Sequence, residues 1–191
     1  MSTEPEKTGD MSEGLKSQIK EAYGRVVYTH TTHLKQAHIF LTANAVVQWL
    51  LIVFSAISTA GLISVIFSFA PLVFAIVSGI FTAASLAINL YSRGARLGER
   101  AEQHKRVAND LWSIREDYVS LLTDFDCLDE TEIRQRRDEL KDKVAAIYSS
   151  APITSKRAYR MAQVALKDEE EQYFAPGEVD SMIPEHLRTN K

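Results

Sequence analysis

Apolar positions fall into three regimes along the chain. Leu15, Ile19, Ala22, Val26, His30 and Leu34 recur at three- and four-residue spacing, the mark of one buried face on an amphipathic helix, placed at residues 15–40. From Ile39 to Ser92 the periodicity gives way to an apolar stretch that contains no Asp, Glu, Lys or Arg. After Tyr91 the spaced pattern returns in Leu97, Ala101, His104, Ala108, Leu111, Tyr118 and Leu122, at near-heptad intervals that predict a long helix running to about Phe125.

The charge-free stretch is too long for one membrane span and suits two, since about 20 apolar residues cross a hydrocarbon core roughly 30 Å thick. Pro71 punctuates it. The spans are placed at about 44–66 and 71–91, joined through Phe67, Ser68, Phe69 and Ala70. Proline is tolerated at a first helical position because its missing N–H has no intrahelical partner there. So short a connection forces the helices antiparallel, and residues 44–91 are predicted to form a transmembrane hairpin. The second span is expected to continue without interruption as a polar stalk.

Residues 92–191 read as a helical region. Asp126 to Asp129 breaks the long helix. Asp129 and Glu132 then form a capping-box pattern, with Leu128 set to staple onto Ile133. Ile133, Leu140, Val144 and Ile147 give the next helix its apolar face, and Ser149 to Pro152 ends it. Thr154 is the expected cap of a further helix with a stripe of Ala158, Met161, Ala165 and Leu166. Asp168 to Glu171 crowd the end of that helix where negative charge is unfavourable, so Lys167 or another cation is expected to compensate. The piece from Pro176 is expected to cap the bundle. Residues 1–14 are polar and aperiodic and are expected to be disordered. The fold class is therefore an all-α membrane protein: a two-helix hairpin with a helical bundle on its polar side.

Charge changes the picture by giving the hairpin a direction. The chain has 191 residues and a formal net charge of -3, unremarkable for a soluble protein, yet its charges are confined to the two flanks. Arg25 and Lys35 precede the first span, and Arg93, Arg96, Arg100, Lys105 and Arg106 follow the second, whereas the turn has no cation. The bias of Lys and Arg places both termini in the cytoplasm, and the expected location is a membrane crossed twice. Trp49 and Tyr91 suit the interfacial zone. The apolar stretch begins too far from the N-terminus for a secretory signal.

Two patterns inside the spans carry candidate function. Small residues recur every fourth position as Ala56, Ala60, Ser64 and Ser68, and as Ala75, Gly79, Ala83 and Ala87. Such stripes let helices approach closely where lipid supplies no hydrophobic drive; they serve either the hairpin's own packing or oligomerisation. Asn44, Gln48, Ser55 and Thr59 line one face of the first span, and Asn89 enters from the second. An amide facing hydrocarbon is costly, so these groups must meet one another, another subunit or water. Two helices enclose no pore, so a conducting pathway requires a homo-oligomer.

Catalytic chemistry is not apparent. The sequence has no glycine-rich phosphate loop, nucleophile elbow or Cys/His zinc pattern, so neither an enzyme nor a bound cofactor is expected. His30, His33 and His38 are close in sequence but lack a neighbouring carboxylate or cysteine to complete a metal site. Asp124, Asp126 and Asp129 lack the central glycine and closing glutamate of a calcium loop. Cys127 is the only cysteine, which rules out an internal disulfide. The basic run from Arg93 to Arg106 suits the positive-inside signal and attraction to anionic headgroups, and the acidic remainder argues against nucleic acid.

The order amphipathic helix, hairpin, long helix and two further helices is accompanied by local signatures. These are Trp112-Ser-Ile-Arg115-Glu-Asp-Tyr118, Pro152-Ile-Thr154 followed by Ala158-Tyr159 and Ala165-Leu166-Lys167, and Glu178-Val-Asp180 with Pro184-Glu185-His186-Leu187-Arg188. Over about residues 15 to 188 the chain resembles the SLATT family, two-span bacterial effectors encoded beside nucleotide-synthesising or nucleotide-sensing partner proteins in antiphage conflict systems. The resemblance implies an effector whose hairpins assemble to permeabilise the inner membrane when a partner or nucleotide signals infection. The competing expectation is a non-conducting anchor or scaffold that presents its bundle to a partner.

Overall fold

The computed structural model describes residues 5–67, 70–185 and 188. Its spine is α1 (Pro5–Ile66), one unbroken helix of 62 residues, which at 1.5 Å per residue is about 93 Å long. Helices α2 (Pro71–Ala95) and α3 (Leu97–Thr123) return alongside it, and a 3-10 turn at Phe125–Cys127 leads into α4 (Glu130–Ser150). Helices α5 (Lys156–Lys167) and α6 (Glu178–Met182) complete the chain, and no strand occurs among the described residues.

The helix α1 stays continuous because it presents one stripe along nearly all its length. Leu15, Ile19, Val26, His30, His33 and Ala37 are buried in its polar half, and Phe54, Ser58 and Gly61 continue the same face in its apolar half. The amphipathic segment and the first span are thus one rod that packs on α3 at one end and on α2 at the other. The helical backbone also begins at Pro5, inside the segment where polar composition suggested disorder through residue 14.

The return path is not continuous, and here the expectation of an uninterrupted stalk is corrected. Arg96 separates α2 from α3 in a left-handed conformation, φ 48° and ψ 42°, which costs a non-glycine residue about 1 to 3 kcal/mol. The reason lies in phase. Carrying the α2 seam onward at its own spacing would bring charged Glu99 and Arg106 against α1. The reversal instead turns Ala101, His104, Ala108 and Leu111 inward, all at most 3% exposed.

The polar half is built around α3. Ile19, Leu111, Tyr118 and Leu121 are its best-buried large side chains, joined by Leu15, Val26, Ile114, Phe125, Ile133 and Leu140; full burial of such a side chain stabilises by about 1.5–3 kcal/mol. Asp129 caps α4 by accepting from the Glu132 N–H at 2.9 Å, while the Glu132 carboxylate pairs with Arg136 rather than returning the bond. The cap of α5 is Ser155, not Thr154: its hydroxyl accepts from the Ala158 N–H at 3.2 Å. Ala158, Ala162, Ala165 and Leu166 are the buried stripe, with Met161 at its edge. The cation that answers the acidic end of α5 is Lys35 of α1, which pairs with Glu171 at 2.5 Å. Helix α6 buries none of its residues and so does not close the bundle.

Candidate functional site

Both spans lie bare in the isolated chain. Their apolar windows are only 6% buried, and Ile52, Leu62, Ile66, Leu72, Ile80 and Leu86 are each more than half exposed. A core helix of a soluble protein would be covered, and an exposed apolar surface of this extent has lipid as its natural solvent. The chain is a two-span membrane protein, and Pro71 stands at the start of the second span.

The hairpin closes on residues the sequence did not single out. Ser58 and Ser78 are 8% and 3% exposed. The Thr82 hydroxyl donates to Ser58 Oγ at 3.2 Å, and Ser58 donates to the Ser78 carbonyl at 3.4 Å. Gly61 allows the closest approach: a Cβ there would collide with Ser78 Oγ and stand 3.3 Å from the Phe74 carbonyl. Phe54 and Phe81 meet edge to face at 5.0 Å nearer the polar side. The hydroxyls of Ser78 and Ser85 are buried without a hydrogen-bond partner among the described residues. Ser58 and Gly61, three apart, are a small-residue pair in the sequence that lies off the fourfold repeats.

The two small-residue stripes lie mostly outside this seam. Ala56, Ala60, Ala75, Gly79, Ala83 and Ala87 are exposed, Ser64 is half-buried and bonds the Ala60 carbonyl, and Ser68 lies outside the described residues. The polar positions flank the seam too. Asn44 is half-buried, whereas Gln48, Ser55, Thr59 and Asn89 are exposed. Thr59 is satisfied within its own helix by the Ser55 carbonyl at 2.9 Å. The side-chain amides of Gln48 and Asn89 make no hydrogen bond among the described residues. Arg93, Arg96, Arg100, Lys105 and Arg106 are all exposed, Arg96 paired with Glu99 and Arg106 with Glu102.

Below the hairpin, where α1 meets α3, three histidines are buried. His30 Nδ1 lies 2.8 Å from the Ala108 carbonyl, and His33 Nδ1 lies 3.0 Å from His104 Nδ1. Phe40 stacks at 5.7 Å on the His104 ring. Burial, then the neighbouring His104 and His30, lower the His33 pKa to about 4. Burial lowers His30 against the opposing pull of the Ala108 carbonyl, and burial also lowers His104. The three rings are therefore neutral at physiological pH, and one nitrogen of the His33–His104 pair donates to the other. His38 is exposed beside Thr42, and no group of three or more His, Cys, Asp or Glu side chains among the described residues is placed to hold a metal ion. The aspartates after α3 have structural partners instead: Asp126 pairs with Lys16, and Asp129 caps α4. Sequence spacing put His30 and His104 on apolar stripes but gave no sign that His33 and His104 meet.

Residues 15–178 match the family model described as SMODS and SLOG-associating 2TM effector domain family 4. No curated protein and no solved structure matches the chain.

Proposed function

The chain belongs to the SMODS and SLOG-associating 2TM effector domain family, and from that premise we propose that it is a defence effector whose hairpins assemble in the bacterial inner membrane and permeabilise it. The observation that carries this reading is the pair of exposed amides, Gln48 and Asn89, that make no hydrogen bond among the described residues. Each lies within a span, and an unpaired amide there is costly enough to favour a second subunit or a water-filled path. The exposed small residues Ala56, Ala60, Ala83 and Ala87 offer close-packing surfaces for such an assembly.

In this reading both termini and the bundle are cytoplasmic, as the cations after α2 favour. The family description names association with SMODS and SLOG, and the trigger is a partner or nucleotide signal received by the bundle. The rod α1, shared by bundle and hairpin, transmits it. A non-conducting anchor is the alternative: Gln48 stands only about 6 Å inside Asn44 along the helix, where interfacial water can satisfy it.

The test is inducible expression in bacteria with a membrane-potential dye and an impermeant nucleic-acid stain, alone and with the neighbouring gene. Wild type is expected to depolarise cells, and Gln48→Leu with Asn89→Leu to abolish depolarisation at matched membrane levels. Depolarisation unchanged in the double variant removes the amides from the pathway. No depolarisation under either condition, despite correct insertion, favours the anchor.

A further inference from the structure

Helices α1 and α4 both pack on α3 without closing on each other, and the gap between them is a cavity of about 480 Å³. Two polar bridges hold its ends. Arg137 donates to Gln18 at 3.0 Å, and the Tyr148 hydroxyl donates to Thr29 Oγ1 at 2.9 Å. Between them the lining is small, with Ala22 on α1 and Ala145 on α4 where larger side chains would have filled the space.

The cavity is positively charged. Arg25, Arg137 and Lys141 line it with a single carboxylate, Asp138. Arg137 and Lys141 share that carboxylate at 2.9 and 3.7 Å. Arg25 pairs with Glu21 outside the lining, so one positive charge remains in excess. At the floor stands Tyr118, 2% exposed, whose hydroxyl has no hydrogen-bond partner among the described residues. Burial raises its pKa, opposed by the nearby Arg25 and reinforced by Tyr148. It is therefore a protonated donor on the lining of a cationic cavity, free to donate to an acceptor that binds there.

We propose that this cavity binds a small soluble phosphate ester, with the phosphate between Arg25, Lys141 and the Tyr118 hydroxyl and the apolar body against Ala22 and Val144. The volume suits it, since small-molecule sites span about 300–1,000 Å³. A lipid headgroup is the wrong source: Arg25 lies about 28 Å along α1 from Asn44, where the span begins. The inference deepens the effector reading, on which its regulatory meaning rests. A ligand bridging α4 to α1 acts on the same rod that forms the first span.

The test uses the full chain purified in detergent, titrated calorimetrically at low salt with adenosine monophosphate, glucose 6-phosphate and inorganic phosphate. One ester is expected to bind at one per chain. Lys141→Glu should weaken it about tenfold and Tyr118→Phe about fivefold, and Ala145→Leu, which fills the cavity, should abolish it, with the unliganded melting temperatures of the first two variants unchanged. Failure of all three probes overturns the site, as does binding that survives both Ala145→Leu and Lys141→Glu, or that appears only when phosphatidylglycerol is added to the micelle. A chain that binds the ester yet never depolarises cells refutes the pore and leaves the site. Depolarisation without binding refutes the site and leaves the pore.

Discussion

Acid is expected to open the α1–α3 interface in a pH window that its buried histidines define. In the folded chain His33 has a pKa of about 4, whereas an exposed histidine in the unfolded chain takes its proton near pH 6.5. Below about pH 6.5 the unfolded state therefore binds more protons, so stability falls as pH falls and the loss levels off near pH 4. From pH 8 to pH 5 the linkage relation gives a loss of about 1 to 2 kcal/mol from His33, allowing for residual solvent access. His104 and His30 are shifted in the same direction and add to it. The assay is amide hydrogen exchange in detergent, corrected for the intrinsic pH dependence of exchange, read at residues 26–37 and 104–111. A loss of that size makes opening roughly 5- to 30-fold more frequent at pH 5 than at pH 8. His33→Gln cannot take the proton and can still bond His104, so it should remove more than half of that acceleration. Equal pH responses in wild type and His33→Gln would refute the argument, as would protection that rises toward pH 5.

Gly61→Leu should separate the two spans and destabilise the hairpin by about 1–3 kcal/mol through overpacking, seen as a lower melting temperature in detergent. Gly79→Leu, at a position where nothing stands within 4 Å, should leave that melt unchanged while abolishing depolarisation in cells; equal melting losses at both glycines would place the seam wrongly. Ser155→Ala removes the cap of α5 and should cost about 1 kcal/mol. Its effect should appear as faster exchange confined to Lys156–Lys167, and exchange unchanged there would show the cap to be idle.

The spans were legible because a bilayer imposes a rule that needs no tertiary knowledge: charge is excluded over a length fixed by its thickness. The stripes that place Leu15, Ile19, Leu111 and Tyr118 in a core were equally open, since a helix repeats every 3.6 residues whatever it packs against. The α4 cap was readable from Asp129 for the same local reason. The misplaced α5 cap shows the limit of local chemistry: Thr154 and Ser155 both suit a cap, and the choice falls on the residue whose backbone N–H is bonded by the buried Gln36 of α1, at 2.9 Å.

What the tertiary structure decided was which faces meet. The sequence offered several small and polar rows in the spans, and only the pairing of α1 with α2 showed that Ser58, Gly61 and Ser78 form the seam while Gln48, Asn89 and the alanine stripes are left outside. The break at Arg96 follows from the same cause, because α2 and α3 must each turn a different row toward one continuous α1, and no residue near it announces that need. The His33–His104 contact and the cavity between Arg25, Tyr118 and Lys141 join residues from different helices, distant in sequence. A periodic pattern tells a residue which side of its own helix it occupies. It does not tell it which residue of another helix waits there, because that depends on the rotation and offset of two packed rods.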